Sequence, residues 1–279
     1  MALRGLSVWA ILRLMADVGV QRDARGAAAL GQGTLYVIHG SHACASAKLM
    51  LAHKGIGFRT VALPTGVHPQ LVRLCGFPGS PQPMRMVDGR PTRMSAILDR
   101  FGTVPALRLG SDRVQRNHEI ARFLEQVAPE PPLFPADPDR RVAVEEAEEW
   151  GDDPLQMLAR RLVLAAPLDL LSARGARGRL GALLATNDRQ RDIGAKLAAR
   201  TTFGVNADAE RRLLGQLPAA LDRADALFAA GVIGGDSANV ADMMIAPSLA
   251  LLDYRLDLRD QLRARPAFAV VERLLPEPA

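Results

Sequence analysis

The chain has 279 residues, 48% apolar and 4% aromatic, with a formal charge of +5. That length suggests two domains, and no run approaches the roughly 18 apolar residues that a membrane-spanning helix needs. The basicity is nearly all arginine, scattered among acids, since the lysines are Lys48, Lys54 and Lys196; with so few aromatics this argues against a nucleic-acid partner.

Residues 1–33 are expected to be an extension loosely attached to the fold. Arg4 followed by GLSVWAIL begins like an export signal, but Arg13 and Asp17 interrupt it, and QRDARGAAALGQG reads as a linker. The fold should begin near Thr34. Leu35–His39 predicts a strand that Gly40 ends, and 42–54 predicts a helix. Ser41 suits its N-cap and Gly55 the position just past its end, with Lys54 in the last turn. Cys44, Ala47 and Leu51 share one face of this helix; His42, Ser46 and His53 share the opposite one.

Phe58–Leu63 alternates as a second strand, and a strand–helix–strand unit calls for a right-handed parallel crossover. Pro69–Cys75 is a candidate short helix. Residues 76–101 are irregular apart from a helical piece at Met94–Arg100. Ala106–Leu109 and Arg113–Gln115, split by Gly110-Ser111-Asp112, predict a hairpin. Asn117 can cap a helix running to Val127, with Ile120, Phe123 and Leu124 inward. Residues 128–138 hold five prolines and mark a domain boundary. Beyond it the pattern is helical over 139–163, 177–200, 206–230, 239–254 and 265–275. Asn239 with Asp242 makes a capping box, and Pro247 is expected to bend the helix that follows.

The cysteines, Cys44 and Cys75, form no disulfide framework and no metal-ligand spacing, which points to a reducing, cytoplasmic setting and to no metal. Their context says more. A strand feeding a helix that opens Ser41-x-x-Cys44 is similar to the site of thiol chemistry in thioredoxin-like folds. The segment Thr103-Val104-Pro105-Ala106-Leu107, the link Pro132–Pro138, the cap Asn239–Asp242 with Pro247, and Arg265-Pro266-Ala267-Phe268 extend the likeness. In order and spacing they resemble the cytosolic glutathione S-transferases, with serine at the active-site position. The resemblance covers about 34–275. It implies a thioredoxin-like α/β domain at 34–128, a proline-rich linker at 129–138 and an all-helical domain at 139–279. It also implies a detoxifying transferase that acts as a homodimer.

Within that frame Ser41 is a catalytic candidate, because a hydroxyl donor and the amides of a helix start both favour thiolate over thiol. The plainer reading is that it only caps the helix. Cys44 is an alternative catalytic residue, or a small core side chain; without a first cysteine it has no two-thiol cycle. His42 is either an exposed first-turn residue or a contact for glutathione. The resemblance assigns Val104 and Pro105, through a cis peptide bond, to the backbone of a bound thiol peptide. Arg116 and Asn117 stand where the family has an acidic residue followed by Ser or Thr for the γ-glutamyl group. Arg116 inverts that charge and suits an anion, which admits a low-molecular-weight thiol other than glutathione. Trp150, Asp152 and Asp153 are expected to line a substrate cleft, or else to form an ordinary solvated helix face with one buried aromatic.

These residues frame three functions. The first is thiol transfer from glutathione or an analogue to an apolar electrophile. The second is a non-catalytic ligand- or partner-binding protein of the same fold. The third is a thiol-dependent reductase or isomerase.

Overall fold

The computed structural model of the protein describes residues 21–23, 32–79, 90, 92–172, 178–181, 197 and 200–278. Most of the helix expected over 177–200 lies outside them.

The sheet is built from β1 (Gln21–Asp23), β2 (Gly33–Val37), β3 (Phe58–Ala62), β4 (Ala106–Leu109) and β5 (Asp112–Gln115), in the order β1-β3-β2-β4-β5. β2 and β3 run parallel, which requires the crossover helix α1 (His42–His53); the other pairings are antiparallel. All five residues of β2 are buried, so the central strand reads as an almost continuous apolar run rather than an alternating one. β1 departs from expectation. Three residues of the N-terminal extension pair with Phe58–Thr60 and add an edge to the sheet. Backbone hydrogen bonds hold such an edge, and Gln-Arg-Asp carries no side-chain pattern that would announce it.

Two short helices, α2 (His68–Leu74) and α3 (Arg93–Asp99), precede the β4–β5 hairpin, and α4 (Asn117–Val127) follows it. The helical half then comprises α5 (Pro138–Trp150), a π-helical turn (Gly151–Leu155), α6 (Gln156–Ala165), α7 (Ala207–Ala229), α8 (Val240–Leu252), α9 (Arg259–Arg263) and α10 (Phe268–Leu274). A single helix was expected over 139–163. The π-turn falls where Pro154 has no N–H to give, and a wider turn absorbs that loss. Gly151 opens it because a Cβ there would stand 3.0 Å from both Met244 and Ile245, so its absence lets α8 approach closely.

α8 is the axis of the helical half, with all 13 residues buried. Its capping box forms as the sequence predicts: Asn239 Oδ1 accepts from the N–H groups of Ala241 and Asp242, and Asp242 Oδ2 accepts from Asn239 N–H at 2.9 Å. Asp242 Oδ1 also holds Gly234 N–H at 2.7 Å. α1 packs on α4 and on α8, so both of its faces are covered.

Lys54 caps α1. It is buried, with Nζ 2.6 Å from Glu125 Oε2 and 3.1 Å from the Pro129 carbonyl. Glu125 Oε2 also accepts Leu133 N–H at 3.0 Å. One ion pair therefore ties α1, α4 and the proline-rich link together. Next to it, Phe134 is covered by the guanidinium groups of Arg122 and Arg141.

Asp242→Ala would leave two half-buried backbone donors, Gly234 N–H and Asn239 N–H, without their acceptor, at a cost of roughly 2–5 kcal/mol. Asp242→Asn keeps one acceptor and should lose clearly less. Urea denaturation of the two variants checks the order, and equal losses would refute this account.

Candidate functional site

Sheet register assembles the site. Tyr36 pairs with Ala106, and Ala106 pairs with Gln115. The end of β2, the start of β4 and the end of β5 therefore lie side by side, and with them the start of α1, the Thr103–Pro105 turn and the start of α4.

At the first of these, Ser41 is the N-cap of α1, half-buried, with Oγ accepting Cys44 N–H at 3.2 Å. Its hydroxyl proton is not consumed by that bond. Cys44 is a core residue, 2% exposed, and burial pushes its thiol up despite the bonds from Ser41 and the backbone at Ile38. Cys75 is a free, half-buried thiol shifted the same way by burial, beside Tyr36.

The Val104–Pro105 peptide bond is cis. Two bonds hold this turn, one from the end of β5 and one from the residue after it: Gln115 Oε1 accepts Thr103 N–H at 2.8 Å, and Arg116 N–H donates to the Pro105 carbonyl at 3.1 Å. Among the described residues nothing hydrogen-bonds the Val104 N–H.

Arg116 takes φ +69°, the one non-glycine residue with positive φ among those described. It occupies the N-cap position of α4 without a side-chain cap, and its guanidinium lies 3.0 Å from Glu119 Oε1. Asn117 was expected to be the cap. Instead it is the first helical residue, 2% exposed, and its Nδ2 donates across to Asp152 Oδ1 at 3.1 Å.

That bond belongs to a polar stripe running along the helical half. Glu148, Asp152, Gln156 and Arg160 occur at every fourth position, and the first three each bond an element of the sheet half. Glu148, fully buried, takes both oxygens to Arg122 and lies 3.6 Å from His118 Nδ1. Asp152 meets Asn117. The Gln156 carbonyl accepts from His42 Nε2 at 3.2 Å, while its side chain donates to Asp152 and accepts from Arg160 at 2.7 Å. The Arg160 charge reaches His42, Cys44 and Asp153.

His42 is thus a buried interdomain contact, not an exposed first-turn residue. Burial, and then Arg160, hold its pKa well below the usual range, so the ring is neutral. Trp150 is buried, with the Arg223 guanidinium 4.8 Å from its ring, as the buried-aromatic alternative has it. Asp153 is exposed on the π-turn. Glu148, Gln156 and Arg160 escaped the sequence reading, although their four-residue spacing from Asp152 was a usable signal. Among the described residues, no group of three or more His, Cys, Asp or Glu side chains is placed to hold a metal ion. No described helix is long and apolar enough to cross a membrane.

No family model matches the chain, and no curated protein matches it. Solved structures do. It is similar to glutathione transferase Omega 3C from Trametes versicolor (15% identity, 99% of this chain and 92% of that one, TM-score 0.53). It is also similar to a GST-like protein from Pseudomonas syringae (19%, 87% and 66%, TM-score 0.53). A third is maleylacetoacetate isomerase from Anaeromyxobacter dehalogenans, whose active site holds dicarboxyethyl glutathione and citrate (18%, 87% and 85%, TM-score 0.50). The chain has the glutathione S-transferase fold: a thioredoxin-like half and a helical half.

Both cysteines should resist iodoacetamide near neutral pH, because a raised pKa leaves little thiolate. On raising the pH, Cys75 should be alkylated before Cys44, as peptide mass spectrometry would read; prior labelling of Cys44 would contradict its burial.

Burial pushes the Glu148 carboxyl from 4.5 up to about 7, against the pull of Arg122. Its contribution to stability is therefore full below the unfolded value and is lost as pH rises through the folded one. Melting temperatures of Glu148→Gln should gain on the parent between about pH 5 and pH 8. A difference that stays flat would show that Glu148 titrates normally.

Proposed function

We propose that the protein is a glutathione S-transferase-type enzyme. It binds glutathione, or a related low-molecular-weight thiol, at the junction of α1, the cis-proline turn and α4. The observation that carries this reading is the convergence itself. A serine hydroxyl stands on the N-terminus of a 12-residue helix, beside a cis X-Pro turn whose Val104 N–H is unclaimed among the described residues.

In this reading the thiol peptide lies against Val104 as an added strand, and Val104 N–H donates to it. Its sulfur sits at the start of α1. There the Ser41 hydroxyl donates to the thiolate, and the helix amides add favourable potential. Deprotonation near neutral pH raises the nucleophile's concentration, and the sulfur attacks an electrophilic carbon held between the halves. At the start of α1 the helical half presents the Gln156 carbonyl to His42 and the charge of Arg160, a more polar wall than an apolar electrophile would need. Cys44 is a support for the helix start rather than a nucleophile, since its thiol stays protonated. A homodimer in the cytoplasm completes the proposal.

One observation favours the rival reading of a non-catalytic binding protein. Ser41 already accepts from Cys44, and Asn117 is turned onto Asp152, so both groups have partners within the chain.

Ser41→Ala separates the two. Turnover of a thiol with an aromatic halide should fall by about 10²-fold or more near neutral pH, while glutathione affinity changes only a few-fold. The residual rate should recover as pH rises toward the pKa of the free thiol. Unchanged turnover would remove Ser41 from the mechanism, and a parent protein inert toward every thiol–electrophile pair would establish the binding-protein reading.

A further inference from the structure

We infer that the sheet carries a second binding site, for a diphosphate group, built on a row of arginines at the strand ends remote from Ser41. No residue of the row belongs to the thiol site proposed above.

Register makes the row. Thr34 of β2 pairs with Arg59 of β3 on one side and with Arg108 of β4 on the other, and Arg108 pairs with Arg113 of β5. Directly paired residues project to the same face of a sheet. Three guanidinium side chains therefore rise from one face, their backbones spread over about 14 Å at the usual strand spacing. Tyr36, two residues beyond Thr34, shares that face, and its ring meets Phe77 edge-on at 5.5 Å.

Like charges directly opposite one another destabilise a sheet. Elsewhere the chain matches its arginines with acids, as Arg122 with Glu148, Arg255 with Asp257 and Arg263 with Asp253. Among the described residues, Arg59, Arg108 and Arg113 have no acidic partner. Their bonds go to neutral oxygens: Arg59 Nε donates to Thr34 Oγ1 at 3.1 Å, and Arg113 donates to the Cys75 and Ser111 carbonyls at 3.2 and 3.1 Å. Those bonds hold two of the guanidinium groups in place and leave N–H groups over. Arg108 makes no hydrogen bond to a described residue. The charges also converge. Arg59 and Arg108 both act on the Tyr36 hydroxyl, and Arg108 and Arg113 act on the Cys75 thiol hydrogen-bonded to it. Burial, ahead of those charges, keeps both groups protonated, so neither supplies a counter-charge.

Three cations held this way call for several negative charges on few atoms. A guanidinium fork matches the oxygens of a phosphoryl group and stays charged at every working pH. Adjacent Arg108 and Arg113 take one phosphoryl group, and Arg59, across Thr34, takes the next. A lone carboxylate covers only part of the row, and a second copy of the chain would present the same sign to it.

Calorimetric titration with inorganic pyrophosphate at constant ionic strength tests the site, with ADP as a second probe. The parent should bind pyrophosphate, and Arg59→Gln and Arg108→Gln should each weaken that binding by about tenfold or more. Arg211→Gln, at an exposed arginine of α7, should leave it unchanged. Without the anion Arg108→Gln should melt at or above the parent, because a like-charge pair is relieved. With saturating pyrophosphate it should melt below the parent, which the ligand stabilises more. ADP binding as tightly as pyrophosphate assigns the site to a nucleotide; weaker ADP binding assigns it to the bare diphosphate. Failure of the parent to bind pyrophosphate overturns the site, and so does equal weakening by Arg211→Gln or full binding by Arg108→Gln.

Discussion

The stripe of Glu148, Asp152, Gln156 and Arg160 fixes how the two halves meet. Four residues advance an α-helix by slightly more than a turn, so each step drifts by about 40° around the axis. Three such steps would carry Arg160 off the interface that Glu148 occupies. The π-turn between Gly151 and Leu155 is wider and takes back part of that drift, which keeps the polar groups on one side. Burying Glu148 beside Arg122 is not a cheap contact, since desolvation of a carboxylate competes with the attraction it gains. What such pairs define is register. Arg122, Asn117 and His42 each find one partner on the stripe, and a shift by a turn would leave each of them mispaired.

That registration matters because the candidate site belongs to neither half alone. The sheet supplies Ser41, Val104 and Asn117 through the pairing of Tyr36 with Ala106 and of Ala106 with Gln115. The helical half supplies Asp152, Gln156 and Arg160. Lys54 and Glu125 hold the connecting segment down between them, so the link works as a strap and not as a free hinge. Strain is concentrated at one point of this assembly, the positive φ of Arg116. Its N–H must reach the Pro105 carbonyl while the next residue starts a helix.

Much of the fold was legible in the sequence because its signals are local. β-branched and apolar runs marked the strands, Gly55 and the Asn239–Asp242 box marked helix ends, and five prolines marked the link. The site was legible only where it rests on such local signals: Ser41 at a helix start and Pro105 before a strand. The exposed reading of His42 failed because its position does not reveal what the other half of the molecule will cover. The partner of Lys54 was not legible either, as only the fold brings Glu125 to it. β1 was missed because an edge strand held by its backbone needs no particular side chains.

Arg116 reads differently along the chain and in the fold. Read along the chain, it inverts the charge of the site. In three dimensions its guanidinium belongs to Glu119, and the groups that face the helix start are the amide of Asn117 and the carboxylate of Asp152. The charge at the start of α4 is a sum over every group near it, and one of these groups comes from a segment more than thirty residues away in sequence.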